Sequence, residues 1–450
     1  MDQKRLPRVL SLFDVTIMAS ASMGPAFSIA TTMGPMVGAA GTLAPLALVL
    51  LTAVMTCAAI GFWRMVRVYP NAGSSYSWIR SAFGDRFGSY GAWLLILSNL
   101  FAVLATALPA GVYTIDLFSP SSGGGSPLVE AVIGSVWIIA ASVLLWAGLR
   151  PTSRVAIVML LTEIAVLLVT AIAAFGHGPA SSPAPSAPAA PVGLGGVFVA
   201  MAIAIWTVDG WEISASTSEE NVGGRDTPGW GGIIGLLATA LVLLICMVAY
   251  MRVGTVSGFN DHAEDAMAYV GAQLGSGAWG AMITIVVLIS ILVSLQTTLV
   301  YLTRGVFAMG RDGVLPPFIG ELDRRGTPTW SIVSVAVIVI AFTLATGLWR
   351  SAHDAYNLVL NGSALFLGAL FMCSTAAAAR TFMREPSERF MGVVIPLAAT
   401  ISLAAILVIA FLQYDTPTRI TIGICALLGV PLALWRSRVS VALAPEPERA

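Results

Sequence analysis

The chain has 450 residues, of which 57% are hydrophobic and 10% are charged, and its mean hydropathy is +0.87. A soluble domain carries about 25% charged residues, so this composition excludes an ordinary soluble protein and indicates a polytopic membrane protein. The 23 basic and 23 acidic residues give a net charge of zero, so no nucleic-acid partner is expected. The four cysteines lie inside apolar stretches without metal or disulfide spacing, and we interpret them as packing residues.

The N-terminal residues are basic and precede an apolar run that Asp14 interrupts. Hydrophobic stretches continue to the end of the chain without a soluble domain to export, so a cleaved signal peptide is not expected. We interpret residues 1–11 and 437–450 as cytoplasmic tails.

Apolar windows of about 20 residues, separated by glycine, proline or charge, predict twelve membrane-spanning helices. Of the 23 basic residues, only Arg252, Arg350 and Arg419 fall outside the segments that are cytoplasmic when the N-terminus is inside. The positive-inside rule therefore predicts a multi-pass protein of the cytoplasmic membrane with both termini in the cytoplasm. The predicted spans are 12–39, 43–64, 87–117, 128–149, 153–176, 196–218, 230–252, 278–309, 329–348, 355–379, 391–412 and 418–436.

The first span contains the sequence SMGPAFS, in which Pro25 removes a helix hydrogen bond and Gly24 loosens the turn. A helix break inside a membrane is tolerated where it is buried in protein or lines a water-filled cavity. The N–H groups that it frees would hold a substrate carboxylate, aided by the helix dipole. A proline-kinked packing helix is the alternative. The predicted substrate-binding residues are Ser22, Met23, Gly24, Pro25, Ala26, Phe27 and Ser28, with N–H donors at Gly24, Ala26, Phe27 and Ser28.

The organisation of the chain repeats after residues 177–195, a Pro/Ala/Ser-rich stretch that we interpret as an external linker. The connections 69–86 and 254–277 each resemble a short interfacial helix, the first inside and the second outside. Five spans per half require the two halves to be inverted, as in alternating-access transporters with one broken helix in each repeat. The predicted organisation is a first repeat at 12–176, the linker at 177–195, a second repeat at 196–380 and two further spans at 381–436.

The sixth span ends in IWTVDGWEISASTSEEN, which carries two carboxylates and a glycine at membrane depth. A carboxylate near the bilayer centre costs about 2.5–3.5 kcal/mol. Asp209 is expected to accept a cationic group or a proton, or to cap the second half-helix, with capping or gating favoured over direct ligation. Freed carbonyls would suit an ammonium group, and aromatic rings would line a pocket or simply pack the core. The predicted binding residues are Trp206, Thr207, Val208, Asp209, Gly210 and Trp211, with Phe27 as a further ring.

Four stretches of the chain together resemble the amino acid–polyamine–organocation (APC) superfamily of permeases with the LeuT-type fold. They are SMGPAFS, PNAGSSYSWIRSAFG, WTVDGWEISASTSEEN, and RGVFAMGRDGVLPPF followed by RRGTPTW. The resemblance covers about residues 10–436. It implies a five-plus-five inverted repeat with broken helices 1 and 6, followed by two C-terminal helices. Some members of the superfamily carry a lysine in the fifth span, whereas this chain has Glu163 near that place.

Glu163 lies about ten residues into the fifth span, where no lysine or arginine of the spans can neutralise it. Apolar surroundings disfavour the charged form, so the carboxyl is a candidate proton carrier. Alternatives are a carboxylate that helps to bind sodium, and a permanently protonated acid bonded to a neighbouring helix.

Hydroxyl groups share one face of the eighth span and, by the same resemblance, would form a sodium-type site with carbonyls of the first span. Ordinary hydroxyl bonds between helices are the favoured alternative. The predicted ion-coupling residues are Glu163, Ala19, Ser294, Thr297 and Thr298, with Tyr301 on the same face and the carbonyl oxygen of Ser22 as a further ligand of the ion.

Charged residues at the cytoplasmic ends are predicted to act as a gate. Arg80, together with Arg304 or Arg311, is expected to pair with a glutamate at the end of the sixth span, in surface pairs worth about 0–1 kcal/mol each. The predicted gating residues are Glu212, Glu219, Glu220 and Arg80.

These observations predict a secondary transporter that moves a neutral or cationic amino acid, driven by a gradient because no nucleotide-binding motif is present. A polyamine or organic amine carrier, and a membrane sensor that binds without transport, are the alternatives. No enzyme motif is found, and no cofactor or metal is expected beyond H⁺ or Na⁺ as coupling ion.

Overall fold

The computed structural model describes residues 6–119, 125–177, 193–262, 265–275, 277–348 and 352–435. Within these ranges the chain is helical apart from its turns and one isolated parallel bridge, between Leu10 and Asn221. The α-helices are α1 (Leu12–Ser22), α2 (Pro25–Ala40), α3 (Ala44–Val68), α4 (Ser74–Phe83), α5 (Asp85–Phe118), α6 (Pro127–Trp146), α7 (Leu149–Gly176), α8 (Leu194–Thr207), α9 (Ile213–Ser216), α10 (Thr227–Val253), α11 (Val256–Asp261), α12 (Ala266–Leu274), α13 (Gly277–Arg311), α14 (Thr329–Thr346), α15 (Ala352–Phe382), α16 (Ile395–Gln413), α17 (Thr416–Leu427) and α18 (Gly429–Trp435).

Nine stretches among the described residues are long and apolar enough to cross a membrane. Large apolar side chains such as Val158, Ile172 and Ile401 face outward and are 66–70% exposed. Such a surface suits lipid and not water, because large exposed apolar areas are rare on soluble proteins. The chain is therefore an all-α, multi-pass membrane protein.

Two helices are interrupted at the places that the sequence predicts. Gly24 adopts the left-handed conformation between α1 and α2, with φ +51°, and Pro25 opens α2. Gly210 has φ +113° in the turn between α8 and α9. Glycine reaches positive φ without the steric cost that other residues meet, so each break follows from its local sequence.

Small residues let the helices around the breaks approach closely. A Cβ atom on Gly235 of α10 would lie 2.7 Å from the Ala19 Cβ of α1, and one on Gly231 would lie 2.6 Å from a methyl of Val15. Close packing through small residues is typical of membrane bundles. Helix α2 packs against α8, and the long helix α5 packs against both α13 and α15.

The first connection contains one short helix, as predicted, whereas the second contains two, α11 and α12. Helix α4 packs against α5 and α15, while α11 and α12 pack against α2. Of the predicted linker, residues 178–192 lie outside the described ranges, and α8 begins at Leu194, slightly before the predicted boundary.

Candidate functional site

The two helix breaks lie against each other in the core. A Cβ atom on Gly210 would lie 2.7 Å from the backbone carbonyl carbon of Ser22 and 2.7 Å from its Oγ. One turn away, the Thr207 hydroxyl donates to Thr32 Oγ1 at 2.9 Å. Residues far apart in the sequence therefore meet here, and only a glycine allows the backbones to approach so closely.

The N–H groups at the N-terminus of α2 are not free, contrary to the prediction, but have hydrogen-bond acceptors. The N–H of Ala26 donates to Glu163 Oε2 at 3.3 Å, and that of Phe27 donates to Ser290 Oγ at 3.0 Å. The fifth and eighth spans thus supply the acceptors that the prediction assigned to a substrate. The prediction is wrong for this conformation because buried N–H groups are costly without a partner.

Gly24 and Ser28, the other two predicted donors, bond within the broken segment itself. The N–H of Gly24 donates to Ala21 O at 3.0 Å, and that of Ser28 donates to Gly24 O at 2.7 Å. The Ser28 hydroxyl donates to Met23 O at 2.5 Å. These bonds close the turn around Gly24 and hold the two half-helices at a fixed angle.

Glu163 is completely buried, with 0% exposure, on the face of α7 that meets α2 and α13. Its Oε2 accepts the Ala26 N–H, whereas its Oε1 is buried without a hydrogen-bond partner among the described residues. Its contact is therefore with a helix N-terminus, where partial positive charge favours an anion. The prediction placed this carboxyl in the span but did not foresee its attachment to the break.

The predicted ion-coupling residues are only partly brought together. The Ser294 hydroxyl donates to Ser22 O at 3.1 Å, which joins α13 to the first break. The Thr297 hydroxyl bonds to carbonyls of its own helix, and Thr298 is half-buried. Ala19 faces α10 at Gly235. These contacts agree with the alternative of ordinary hydroxyl bonding, apart from the link between Ser294 and Ser22.

Asp209 does not cap the second half-helix, so that prediction is wrong. Glu212 instead accepts the Gly210 N–H on Oε2 at 3.0 Å, because the positive φ at Gly210 folds the chain back toward this carboxyl. The Asp209 Oδ1 atom is buried and has no hydrogen-bond partner in the described part of the chain. A buried acceptor without a donor is costly, which makes Asp209 a candidate for a cationic ligand or a proton.

The three predicted aromatic walls belong to two groups. Phe27 and Trp206 meet edge to face across the breaks, with ring centroids 6.4 Å apart. Trp211 instead packs between Phe62 and Phe371, whose ring centroids lie 4.9 and 5.5 Å from that of Trp211. Trp211 is therefore part of the aromatic core, while Trp206 and Phe27 lie at the breaks.

An ion pair between Arg304 and Glu220 lies at the end of the bundle that also carries Arg64, Arg80 and Arg311, here called the arginine-rich end. The Arg304 guanidinium donates to both Glu220 oxygens, at 2.9 and 3.0 Å, and the two side chains are 3% and 1% exposed. The prediction of a weak surface pair is wrong here, because the end of α13 buries the arginine against the segment that follows α9.

Glu219 pairs with Arg311 through two hydrogen bonds of 2.7 and 2.9 Å, and these side chains are 18% and 17% exposed. Arg80 does not reach either glutamate, which corrects the predicted pairing. It bonds instead to Asp85, at 2.7 Å, and to Asp312, at 3.3 Å. Asp85 is only five residues from Arg80, so local geometry supplies this partner, whereas Asp312 is 232 residues away and is brought close by the fold.

The N-terminal segment, residues 6–10, covers the arginine-rich end. The N–H groups of Val9 and Leu10 both donate to Glu220 O, at 2.7 and 3.0 Å, and Val222 N–H donates to Leu10 O at 2.8 Å. Leu6 is buried in a small apolar cluster with residues of α13. The sequence predicts only a cytoplasmic tail for this segment, and nothing in its residues indicates these contacts.

Ser290 is a second residue that sequence reasoning missed. Its spacing of four from Ser294 and seven from Thr297 continues the hydroxyl face of the eighth span. That pattern was the available signal, although its partner on α2 lies 263 residues away. In the described ranges, no three His, Cys, Asp or Glu side chains gather in a way that would hold a metal.

Facing helix breaks inside a multi-pass helical bundle are typical of membrane transporters, and the family match shows a transporter and not an enzyme. The sequence matches the amino acid permease family over residues 10–427, so the chain belongs to this family, within the APC superfamily.

Relatives in the family are distant. The branched-chain amino acid permease BcaP of Lactococcus lactis is 24% identical over 63% of this chain and 65% of its own length, just under two thirds. BcaP of Bacillus subtilis is 26% identical over 75% of each chain. The methylthioribose transporter of Bacillus subtilis is 25% identical over 75% of this chain and 76% of its own.

Proposed function

We propose that the protein is a secondary active transporter that moves a neutral or cationic amino acid across the cytoplasmic membrane by alternating access. The observation that carries the proposal is the contact of the two breaks, Gly210 against Ser22, in the buried centre of the bundle. Broken helices that meet at mid-membrane are the usual place of a transporter's substrate site. Family membership and the names of the two BcaP relatives, both branched-chain amino acid permeases, support an amino acid, with a branched-chain side chain as the first candidate.

We propose that the substrate lies beside the breaks, with its side chain against Phe27 and Trp206. The edge-to-face pair forms an apolar surface next to the polar backbone of both breaks. An amino acid needs this combination, since its two charged groups must be paired while its side chain is removed from water. The buried Asp209 Oδ1 is positioned for the ammonium group.

We also propose that the chain crosses the membrane twelve times. Twelve spans follow if the broken pairs α1–α2 and α8–α9, and the final pair α17–α18, each count as one. The first ten then form two inverted repeats of five. The positive-inside rule assigns the arginine-rich end to the cytoplasm, where the buried pair of Arg304 and Glu220 closes the path.

An organic amine carrier is the second candidate, and one observation favours it. All four N–H groups predicted for a substrate carboxylate already have acceptors, while Asp209 Oδ1 has no donor among the residues that the structure describes. A ligand with an amine and no carboxylate would donate to Asp209 Oδ1 and would leave the hydrogen bonds of the four N–H groups intact.

The test is a thermal-shift screen of the purified protein against amino acids and polyamines, followed by uptake in proteoliposomes with imposed proton or sodium gradients. We expect a branched-chain amino acid to stabilise the protein and to be taken up. Asp209→Asn should weaken binding of the ammonium group at least tenfold, while Asp261→Asn, an exposed carboxylate on α11, serves as the matched control. Uptake of polyamines alone would refute the amino acid proposal in favour of the amine carrier.

A further inference from the structure

Glu163 occupies the place that a substrate carboxylate needs. Its Oε2 accepts the Ala26 N–H at the start of α2, a helix of 16 residues, and its side chain is 0% exposed. The next N–H, from Phe27, is held by Ser290. A carboxylate of an amino acid that binds at this helix N-terminus must therefore displace an acceptor already present.

Two ionised carboxylates cannot share this N-terminus. Like charges a few ångströms apart in a buried site repel strongly, and one of two such groups is normally protonated. Among the described ion pairs, none supplies a cation to Glu163. Its remaining oxygen, Oε1, is buried, accepts no hydrogen bond from the described residues and is available to take the proton.

The other titratable groups near α7 do not face this carboxyl. On α1, Asp14 bonds to Ser153, ten residues before Glu163 and about 15 Å along the helix. On α10, Cys246 and Tyr250 bond to Leu167 O, one turn further on. Helices α2 and α13 contribute Ala26 and Ser290 at this level. The remaining titratable groups of the packed helices are Glu130 on α6, Tyr269 on α12, Arg252 on α10, and Tyr301, Arg304 and Arg311 on α13.

We infer that Glu163 is an internal anion that holds the N-terminus of α2 when the site is empty, and that a substrate carboxylate replaces it there only as Glu163 takes up a proton. The inference rests on the proposed function and adds its coupling step. One proton binds to Glu163 for each substrate carboxylate that binds at α2. The Ala26 N–H changes its acceptor from Glu163 to the substrate, and no other group gains or loses charge. Binding of substrate and of proton are then linked one to one.

The linkage predicts that the affinities for an amino acid and for an amine depend differently on pH. A glutamate with only a structural role would not cause this difference. Above the pH at which Glu163 of the empty site ionises, affinity for an amino acid should fall tenfold per pH unit, because each binding event must bring a proton. An amine of the same shape without a carboxylate leaves Glu163 on α2 and should show no such fall.

The experiment is titration calorimetry of the purified protein with L-leucine and with 3-methylbutylamine, between pH 6 and 9, in two buffers of different ionisation enthalpy. The wild-type protein should take up close to one proton per leucine at the alkaline end and none per amine. Glu163→Gln should bind leucine without proton uptake and with an affinity independent of pH. Glu321→Gln, an exposed glutamate between α13 and α14, should behave as the wild type.

Two results would overturn the inference. One is leucine binding to the wild type with no proton uptake anywhere in this pH range, a measurement that needs no variant to fold. The other is proton uptake that persists in Glu163→Gln. Failure of the proposed function looks different, since the protein would then neither bind nor transport leucine or any other amino acid in the screen, and the inference would fall with it.

Discussion

Removal of the Glu220 carboxylate should open the arginine-rich end. In Glu220→Gln, the Arg304 guanidinium remains 3% exposed but loses its counter-charge, and its Nη1 already has no hydrogen-bond partner among the described residues. Leaving one charge of a buried pair without its partner costs about 3–5 kcal/mol. Water reaches the arginine once this end opens, so the penalty falls on the closed conformation alone.

That penalty predicts a large shift between conformations. Since about 1.4 kcal/mol is a factor of ten, the closed state should lose about a hundredfold to several thousandfold in population relative to the open state. Glu219→Gln is the matched control, because its pair with Arg311 is 17–18% exposed, so water screens the unpaired charge more than it does at Arg304. Glu220→Gln combined with Arg304→Gln removes both charges and should restore much of the closed state.

The assay is the labelling rate of a single cysteine at Ser218, which is 8% exposed and lies two residues before Glu220. The four native cysteines are replaced first, since all are free. A membrane-impermeant thiol reagent is applied from each side in turn, and labelling from the arginine-rich side should accelerate in Glu220→Gln. Wild-type labelling rates in that variant, or equal acceleration in Glu219→Gln, would refute the reasoning.

Three further predictions concern the breaks and the α4 connection. Gly210→Ala should abolish uptake, because its Cβ would lie 2.7 Å from the Ser22 backbone at φ +113°; normal uptake by a folded variant would contradict the close approach. Glutamate should compete with leucine at least tenfold more weakly than a neutral amino acid does, because the buried carboxyls near the breaks have no arginine partner among the described ion pairs, and equal competition in uptake would show a cation there. Burial and the Asp312 carboxylate raise the pKa of the Tyr76 hydroxyl above its ordinary value of 10.0, so its contribution to stability is fully present below pH 10 and is lost only as pH rises through the raised pKa. Tyr76→Phe, which removes the hydrogen bond to Asp312, should therefore lower the free energy of unfolding by about 1–3 kcal/mol equally at pH 6 and pH 9, and a difference between these two thermal melts would contradict the assignment.

The helix breaks were predictable because their causes are local. Proline lacks an N–H, and glycine reaches positive φ, so Gly24, Pro25 and Gly210 mark the interruptions without knowledge of the fold. The long apolar helices were equally accessible, since composition and length decide them. Helix α5 begins and ends within two residues of its predicted bounds.

The partners of the polar groups were not predictable in the same way. Ala26 and Glu163 are 137 residues apart, and Phe27 and Ser290 are 263 residues apart. Which acceptor meets which donor depends on how the helices rotate and cross, which periodicity alone does not fix. The same limit explains the wrong partner for Arg80, because several carboxylates at that end were chemically equivalent in the sequence.

Glu220 receives contacts from both directions along the chain, since its side chain holds Arg304 while its carbonyl oxygen accepts the N–H groups of Val9 and Leu10. Main-chain bonds of this kind do not depend on side-chain identity, so substitutions other than proline at positions 9 and 10 preserve them, whereas removal of the segment takes them away. The practical consequence concerns protein engineering. A folded tag or fluorescent protein fused directly before Leu6 would add bulk to a segment that is bonded to Glu220 and buried against α13. A long flexible spacer before residue 6 would avoid that artefact in transport measurements.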